Sequence, residues 1–159
     1  SRLNLKGGYI FGQVPYLLLE NHIGNESMFY TTGAFNTMNF FEFVSDHWAS
    51  LRYEHYFQGL LMNKIPLIRK LKWRLLGSAS ILYGSLRQEN IDIMSPVGPN
   101  GEPTLEFNGL DPDQPYIELG YGIENIFKFI RVDGVHRITY RDAPEAQKFA
   151  LKVSFQFKL

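Results

Sequence analysis

The chain has 159 residues, contains no cysteine and balances 16 Lys and Arg against 16 Asp and Glu, so its formal net charge is zero. These values suit a single domain, exclude disulfide frameworks, thiol catalysis and zinc–thiolate sites, and provide no basic footprint for nucleic acid. Aromatic residues make up 15% of a chain whose mean hydropathy is only −0.18. This combination is typical either of a soluble β-protein or of an outer-membrane β-barrel.

Six segments alternate between apolar and polar residues with the period of two that a β-strand produces. In chain order they occupy residues 3–11, 47–58, 70–83, 115–124, 129–140 and 149–159. The last one is the clearest, because Leu151, Val153 and Phe155 alternate there with Lys152 and Ser154. No apolar run approaches the roughly 18 residues of a membrane-spanning helix. The pattern therefore predicts an all-β, antiparallel fold.

Two long connections, residues 12–41 and 86–114, are rich in Pro, Gly and Asn and are predicted to be loops. Shorter connections lie at 63–66 and 142–145. Long and short connections on opposite rims are typical of a membrane barrel. The aromatic stretch 27–45 leaves room for one or two extra strands, at 27–32 and 38–44, which would complete a small barrel.

The polar faces of the predicted strands carry many charges, and alternation alone does not say whether they face water or a lumen. In a soluble, lipocalin-like barrel the apolar faces would enclose a cavity for an apolar ligand. In a transmembrane barrel the polar faces would line the lumen. The residues predicted for a lumen-facing polar wall are Arg52, Glu54, Arg74, Glu118, Arg131, Asp133 and Arg137. Plain solvation of these side chains is the simpler interpretation of the same pattern.

Three features favour the membrane barrel. Large aromatic residues lie near the ends of the apolar faces, as in interfacial girdles. The strands are long enough for a tilted span of about 9–11 residues. The chain also ends on a strand, which predicts a lipid-facing carboxy-terminal strand that doubles as an insertion signal, formed by Val153, Phe155, Phe157 and Leu159.

The strand count raises a second expectation. Six strands are too few to close a membrane barrel, which needs roughly eight. The chain also starts inside an alternating strand. We therefore expect residues 1–159 to be one β-barrel segment, the carboxy-terminal part of a larger barrel.

No residue pattern predicts an enzyme. Asp46-His47 and Glu54-His55 are adjacent pairs, and neighbouring residues of one strand point to opposite faces, so neither pair is expected to meet. The sequence contains no metal-ligand spacing, nucleophile elbow or phosphate loop. We predict no catalytic residue, no metal and no cofactor; a small outer-membrane enzyme using His47 or His55 is a third alternative.

Four stretches resemble a Bacteroidetes-type outer-membrane family of unknown function. They are residues 13–19 (QVPYLLL), 33–46 (GAFNTMNFFEFVSD), 58–67 (QGLLMNKIPL) and 116–125 (YIELGYGIEN). Members of that family join a carboxypeptidase-regulatory-like domain to a carboxy-terminal barrel. The barrel is similar to the bacterial surface antigen superfamily of outer-membrane assembly factors and secretion transporters.

The resemblance implies that the chain forms the last six or so strands of a transmembrane barrel of about sixteen strands. It implies a location in the bacterial outer membrane, with lipid, the rest of the barrel, a periplasmic domain and other outer-membrane proteins as partners, and no nucleic acid. It also implies that the long loop at 12–41 folds into the lumen. The superfamily's loop has an Arg-Gly-aromatic tip, whereas residues 32–35 of this chain are Thr-Gly-Ala-Phe.

Overall fold

The computed structural model describes residues 1–57, 70–94, 109–143 and 145–156. Over these residues the protein is all-β with very little helix. The strands are β1 (Arg2–Tyr9), β2 (Glu20–Asn21), β3 (Val44–Ser45), β4 (His47–Tyr56), β5 (Arg74–Ser85), β6 (Tyr116–Ile126), β7 (Ile130–Arg137) and β8 (Phe149–Phe155). A 3₁₀ turn (Tyr16–Leu18) precedes β2, and a short helix, α1 (Gln88–Met94), follows β5.

Six of the strands form one antiparallel sheet in the order β1-β4-β5-β6-β7-β8, while β2 pairs with β3 in a separate two-stranded ladder. The prediction of an antiparallel all-β fold is confirmed. The described residues show an open sheet with β1 and β8 at its edges, and no closed barrel. Among them, no helix has both the length and the apolar character needed to cross a membrane.

Full strands do not form at 27–32 and 38–44, because these stretches consist of bends, turns and isolated bridges, apart from Val44, which belongs to β3. Side chains satisfy much of their backbone; the Asn36 side chain, for example, accepts from the Thr31 N–H and donates to the Thr31 carbonyl. Two predicted strands also extended too far, since Lys72 (φ 54°) and Tyr140 (φ 52°) lie in turns. The predicted turn at 63–66, residues 95–108 of the predicted loop, Phe157 and Leu159 lie outside the described residues.

The strand register aligns residues of like character across the sheet. Arg52 lies opposite Ser80, Ser80 opposite Glu118, and Glu118 opposite Arg137. We call this side the polar face; its residues include Arg2, Asn4, Lys6, Ser50, Arg52, Glu54, Arg74, Ser78, Ser80, Glu118, Gly120, Gly122, Glu124, Arg131, Asp133, Arg137, Lys152 and Ser154, together with the buried apolar residues Leu76, Leu82, Tyr116, Val135 and Ala150. The opposite side, the apolar face, consists of Leu3, Leu5, Leu51, Tyr53, Ile81, Ile117, Leu119, Tyr121, Val132, Leu151 and Val153.

Burial of the two faces is the reverse of that in a water-soluble sheet. Residues 19–46, which we call the covering segment, pack against the polar face, where Asp133, Arg137 and Lys152 are each only 1% exposed. On the apolar face Leu5 is 73% exposed and Leu151 is 61% exposed. Charged side chains therefore lie inside the protein and large apolar side chains lie on its surface.

The covering segment also reaches the outer edge of β8. The Val153 N–H donates to the Met28 carbonyl (2.8 Å), and the Tyr30 N–H donates to the Val153 carbonyl (2.8 Å). At the other edge of the sheet, every residue of β1 is exposed. The two edges thus differ, since the chain itself occupies part of one of them.

Two small apolar clusters anchor the covering segment near the end of the sheet where β4 begins. The first contains Phe35, Met38, Phe43, Leu82, Leu110 and Tyr116. The second contains Leu19, Val44 and Leu86, with Ile91 of α1 packed against it. The middle of the covered face is held by polar contacts.

Candidate functional site

The most deeply buried charges form an ion network around Arg131. Arg131 and Asp133 are two residues apart on β7 and therefore share a face. The guanidinium donates to both Asp133 oxygens (2.7 and 2.8 Å) and to Glu54 Oε1 of β4 (3.0 Å). Two strands separate β4 from β7, and small residues on them leave the space that these long side chains cross. At Gly122, for example, an added Cβ would lie 2.5 Å from the Asp133 Oδ1.

Two tyrosine hydroxyls also donate hydrogen bonds to Glu54. The Tyr30 hydroxyl of the covering segment donates to Glu54 Oε1 (2.9 Å), and the Tyr56 hydroxyl donates to Oε2 (2.8 Å). The Arg131 guanidinium lies 4.3 Å from the centre of the Tyr30 ring. One carboxylate therefore joins the sheet to the covering segment.

Glu118, in the centre of β6, binds the backbone of the covering segment. Its Oε1 accepts from the Asn36 N–H (3.0 Å), and its Oε2 accepts from the N–H (3.0 Å) and the hydroxyl (2.9 Å) of Thr37. Three donors thus satisfy a carboxylate that is only 3% exposed. These bonds fix the position of a turn that has no strand partner.

Two cations hold other parts of the covering segment. Arg137 forms a two-pronged pair with Glu42, donating from Nη1 to Oε2 at 3.0 Å and from Nη2 to Oε1. Lys152 donates to the carbonyls of Asn25 (2.7 Å) and Ser27 (2.6 Å). Buried charges on three strands of the sheet, β6, β7 and β8, therefore all contact the same segment.

The seven residues predicted for the polar wall differ in burial and in the contacts that they make. Glu54, Glu118, Arg131, Asp133 and Arg137 are buried in the contacts described above. Arg52 is partly buried, with its guanidinium 4.3 Å from the centre of the Phe35 ring. Arg74 lies at the end of β5 with its side chain 44% exposed, 3.6 Å from Glu124. The structure brings Glu54, Arg131 and Asp133 into one network and leaves Arg74 apart from it.

Sequence reasoning missed the partners supplied by the covering segment, above all Tyr30, Asn36, Thr37 and Glu42. No periodic signal marks them, because they lie in turns. Lys152 could have been found, since it stands on the polar side of the clearest alternating strand and lies opposite Asp133.

The prediction that Asp46 and His47 do not meet is wrong. Asp46 precedes β4 instead of belonging to it, so its side chain is free to turn back, and its Oδ1 lies 2.6 Å from His47 Nδ1. Arg87 and Asn90 also donate to the Asp46 carboxylate. Although burial alone would raise it, these hydrogen bonds hold the pKa of Asp46 below its usual value. The cluster ties the start of β4 to α1.

His22 lies beneath the sheet, where its Nε2 contacts the Ser45 hydroxyl at 2.9 Å. Burial, reinforced by the positive charge of Arg52, lowers the pKa of His22 to about 4. The ring is therefore neutral at neutral pH. Within the described residues, no group of three or more His, Asp or Glu side chains is placed to hold a metal ion.

Comparison with known families gives one match. Residues 13–91, which is 79 of the 159 residues, match the carboxy-terminal domain of a family of unknown function (DUF5686). The match covers the covering segment, β4, β5 and the start of α1. It is consistent with the resemblance to a family of unknown function. No curated protein and no solved structure matches the chain significantly.

Proposed function

We propose that this chain is a non-enzymatic segment of an outer-membrane β-barrel. Its apolar face would contact lipid, and its polar face would line a lumen occupied by the covering segment. The observation that supports this proposal most strongly is the reversed burial of the two faces. The sheet buries Asp133, Arg137 and Lys152 while it exposes Leu5 and Leu151.

The physical argument rests on which solvent suits each face. Soluble monomers rarely expose contiguous apolar patches larger than a few hundred Å². Here the exposed apolar residues run across the whole sheet, from Leu3 and Leu5 on β1 through Leu119 and Tyr121 on β6 to Leu151 on β8. In a hydrocarbon phase, exposed apolar side chains carry no unfavourable hydration free energy. Polar groups in such a phase must instead be satisfied inside the protein.

Strand length fits the same proposal. The central strands β4, β5 and β6 have 10, 12 and 11 residues. At about 3.3 Å per residue and a tilt of about 45°, ten residues span about 23 Å, close to the roughly 25 Å apolar band of outer-membrane barrels. Exposed aromatic side chains lie near both ends of the band, with Tyr9 and Tyr83 at one end and Phe155 at the other.

The proposal includes further strands, because six are too few to close a membrane barrel. These strands would pair with the exposed edge of β1 and with the part of the β8 edge that residues 28–30 leave uncovered. The resemblance to assembly and translocation barrels adds a periplasmic domain, lipid and other outer-membrane proteins as expected partners. The alternative, a lipocalin-like carrier, needs an apolar face around its cavity, whereas the covered face here carries ion pairs.

The dependence of the folded state on detergent tests the proposal. We expect the protein to leave the membrane fraction only in detergent, to stay monodisperse in micelles and to aggregate when detergent is withdrawn. Circular dichroism would confirm the β-structure of each sample. A folded protein that remains soluble and monomeric without detergent would contradict the proposal.

A further inference from the structure

A cavity of about 200 Å³ lies on the polar face, between β1, β4 and β5 and the covering segment. The period of two brings its charged and hydroxyl-bearing side chains to the same side of the sheet. Asn4, Arg52 and Ser80 form one cross-strand row, and Arg2, Glu54 and Ser78 form the next. The cavity is therefore built from aligned strand positions, with residues 32–34 of the covering segment as its opposite wall.

More cations than carboxylates line this cavity. Arg2, Lys6 and Arg52 contribute three cations, while Glu54 contributes one carboxylate. That carboxylate already interacts with Arg131 at 3.0 Å and accepts hydrogen bonds from two tyrosines. Its exposed partner in the cavity, Arg2, lies 3.6 Å from it. The lining thus has more positive charge than its own carboxylate neutralises.

Arg52 is the most buried of these three cations. Its guanidinium stacks on Phe35, and its buried Nε has no hydrogen-bond partner within the described residues. Those residues also provide no carboxylate within ion-pairing distance of Arg52. Glu118 attracts Arg52 electrostatically, but both Glu118 oxygens already accept hydrogen bonds from Asn36 and Thr37.

A smaller cavity of about 50 Å³ shares Lys6 and Arg52 with the first. Its other ionisable lining residues are Glu20 and His22, and His22 is neutral at neutral pH because burial holds its pKa at about 4. Lys6 and Arg52 therefore line both cavities.

We propose that the cavity between β1, β4, β5 and the covering segment binds a small oxyanion, a phosphate or a carboxylate group, with Arg52 and Lys6 as its principal ligands. A guanidinium presents paired N–H donors whose geometry matches these oxygens, and the ammonium adds a point charge. The Ser78 and Ser80 hydroxyls lie on the same wall as further donors. This inference goes beyond the membrane proposal, because the cavity is on the covered face and needs no lipid.

The test is calorimetric titration of the full-length, folded protein with inorganic phosphate and, separately, with acetate at constant ionic strength, with chloride as the reference ion. We expect saturable binding of phosphate, acetate or both, and none of chloride. Binding of phosphate alone would identify a phosphate group as the ligand, and binding of both would include carboxylates. Equal, unsaturable heats for all three ions would overturn the proposal.

Three variants locate the site. Arg52→Gln should weaken binding about tenfold or more, and Lys6→Gln should weaken it by a smaller factor. Arg74→Gln is the matched control, because Arg74 lies on the same face but does not line the cavity, and its affinity should equal that of the wild type. Circular dichroism checks that each variant is folded. Unchanged affinity in folded Arg52→Gln overturns the assignment; if that variant misfolds, Lys6→Gln on the exposed β1 decides in the same way.

Discussion

The two faces of the six-stranded sheet share one backbone but are stabilised in opposite ways. On the polar face, hydrogen bonds from Tyr30 to Glu54 and from Asn36 to Glu118, together with the Arg137–Glu42 ion pair, join the sheet to the covering segment. On the apolar face, side chains such as Leu119 and Leu151 lie at the surface. Several charged side chains of this sheet are therefore buried while large apolar side chains are exposed, and each face needs a separate experiment.

The largest effect is expected where a buried charge loses its partner. Arg131→Met leaves Asp133 without its cation and leaves Glu54 with only the exposed Arg2. Breaking a buried ion pair from one side costs about 3–5 kcal/mol, and we expect a loss of that size in the free energy of unfolding. Denaturant titration in detergent, followed by tryptophan fluorescence, would measure it. The triple variant that also carries Glu54→Gln and Asp133→Asn should recover part of the loss; a cost below about 1 kcal/mol for Arg131→Met alone would mean that the covered face does not depend on this network.

The second effect concerns pH. The pKa of His22 is about 4 in the folded protein, against 6.5 as its ordinary value, so the unfolded chain takes up the proton first as the pH falls. The stability contributed by the neutral ring is complete above pH 6.5 and declines down to about pH 4, by about 3 kcal/mol in total.

The pH test compares the wild type with His22→Asn, which keeps a polar partner for Ser45 but does not titrate. Unfolding free energies measured at intervals across this window should fall more steeply for the wild type than for the variant, and the difference between the two curves isolates His22. His136→Asn is the control, since His136 lies on the exposed apolar face. Parallel curves for the wild type and His22→Asn would show that the ring is not buried as described.

The third effect separates lipid from water at the apolar face. Leu119→Arg places a charge in the middle of that face. In a bilayer it should destabilise the fold by at least about 2 kcal/mol, while an exposed position in water would change stability by no more than about 0.5 kcal/mol. Refolding equilibria in vesicles would measure the difference.

Leu17→Arg is the matched control for that measurement, because Leu17 is 90% exposed but lies in the 3₁₀ turn, away from the sheet. We expect it to be nearly neutral. Equal, small effects of the two substitutions would indicate that the apolar face does not contact lipid.

The smallest effect comes from comparing the exposed and the buried cation that pair with the same carboxylate, Glu54. Glu54 lies 3.0 Å from buried Arg131 and 3.6 Å from Arg2, whose side chain is 61% exposed. Exposed pairs contribute about 0–1 kcal/mol, so Arg2→Gln should lower the unfolding free energy by no more than about 1 kcal/mol. The same denaturant titration applies. A loss as large as that of Arg131→Met would show that burial does not distinguish the two partners.

The alternation in the sequence was enough to predict the sheet and the separation of its faces. Alternation with a period of two depends only on adjacent residues of one strand, so the faces of Leu151, Lys152 and Val153 can be assigned without knowing which strands pair with β8. The path of the covering segment could not be predicted, because the bonds from Glu118 to Asn36 and Thr37 join positions about eighty residues apart. Such contacts leave no periodic trace.

The pair Asp46–His47 shows a second limit. The rule that adjacent residues point to opposite faces holds inside a strand, and β4 begins at His47. The error came from applying this rule to Asp46, which precedes both the predicted strand at 47–58 and β4. Strand ends are the least certain part of any sequence-based assignment.

The central claim, that the apolar face contacts lipid, is tested most directly by spin labels. The chain has no cysteine, so Leu119→Cys, Leu151→Cys, Ser78→Cys and Ser154→Cys each provide one labelling site. In vesicles, we expect labels at Leu119 and Leu151 to be relaxed strongly by oxygen and weakly by a water-soluble nickel complex. Labels at Ser78 and Ser154 should lack this lipid signature. Labels at Leu119 and Leu151 that respond to the nickel complex as they would in water, or a lipid signature at Ser78 and Ser154, would contradict the account.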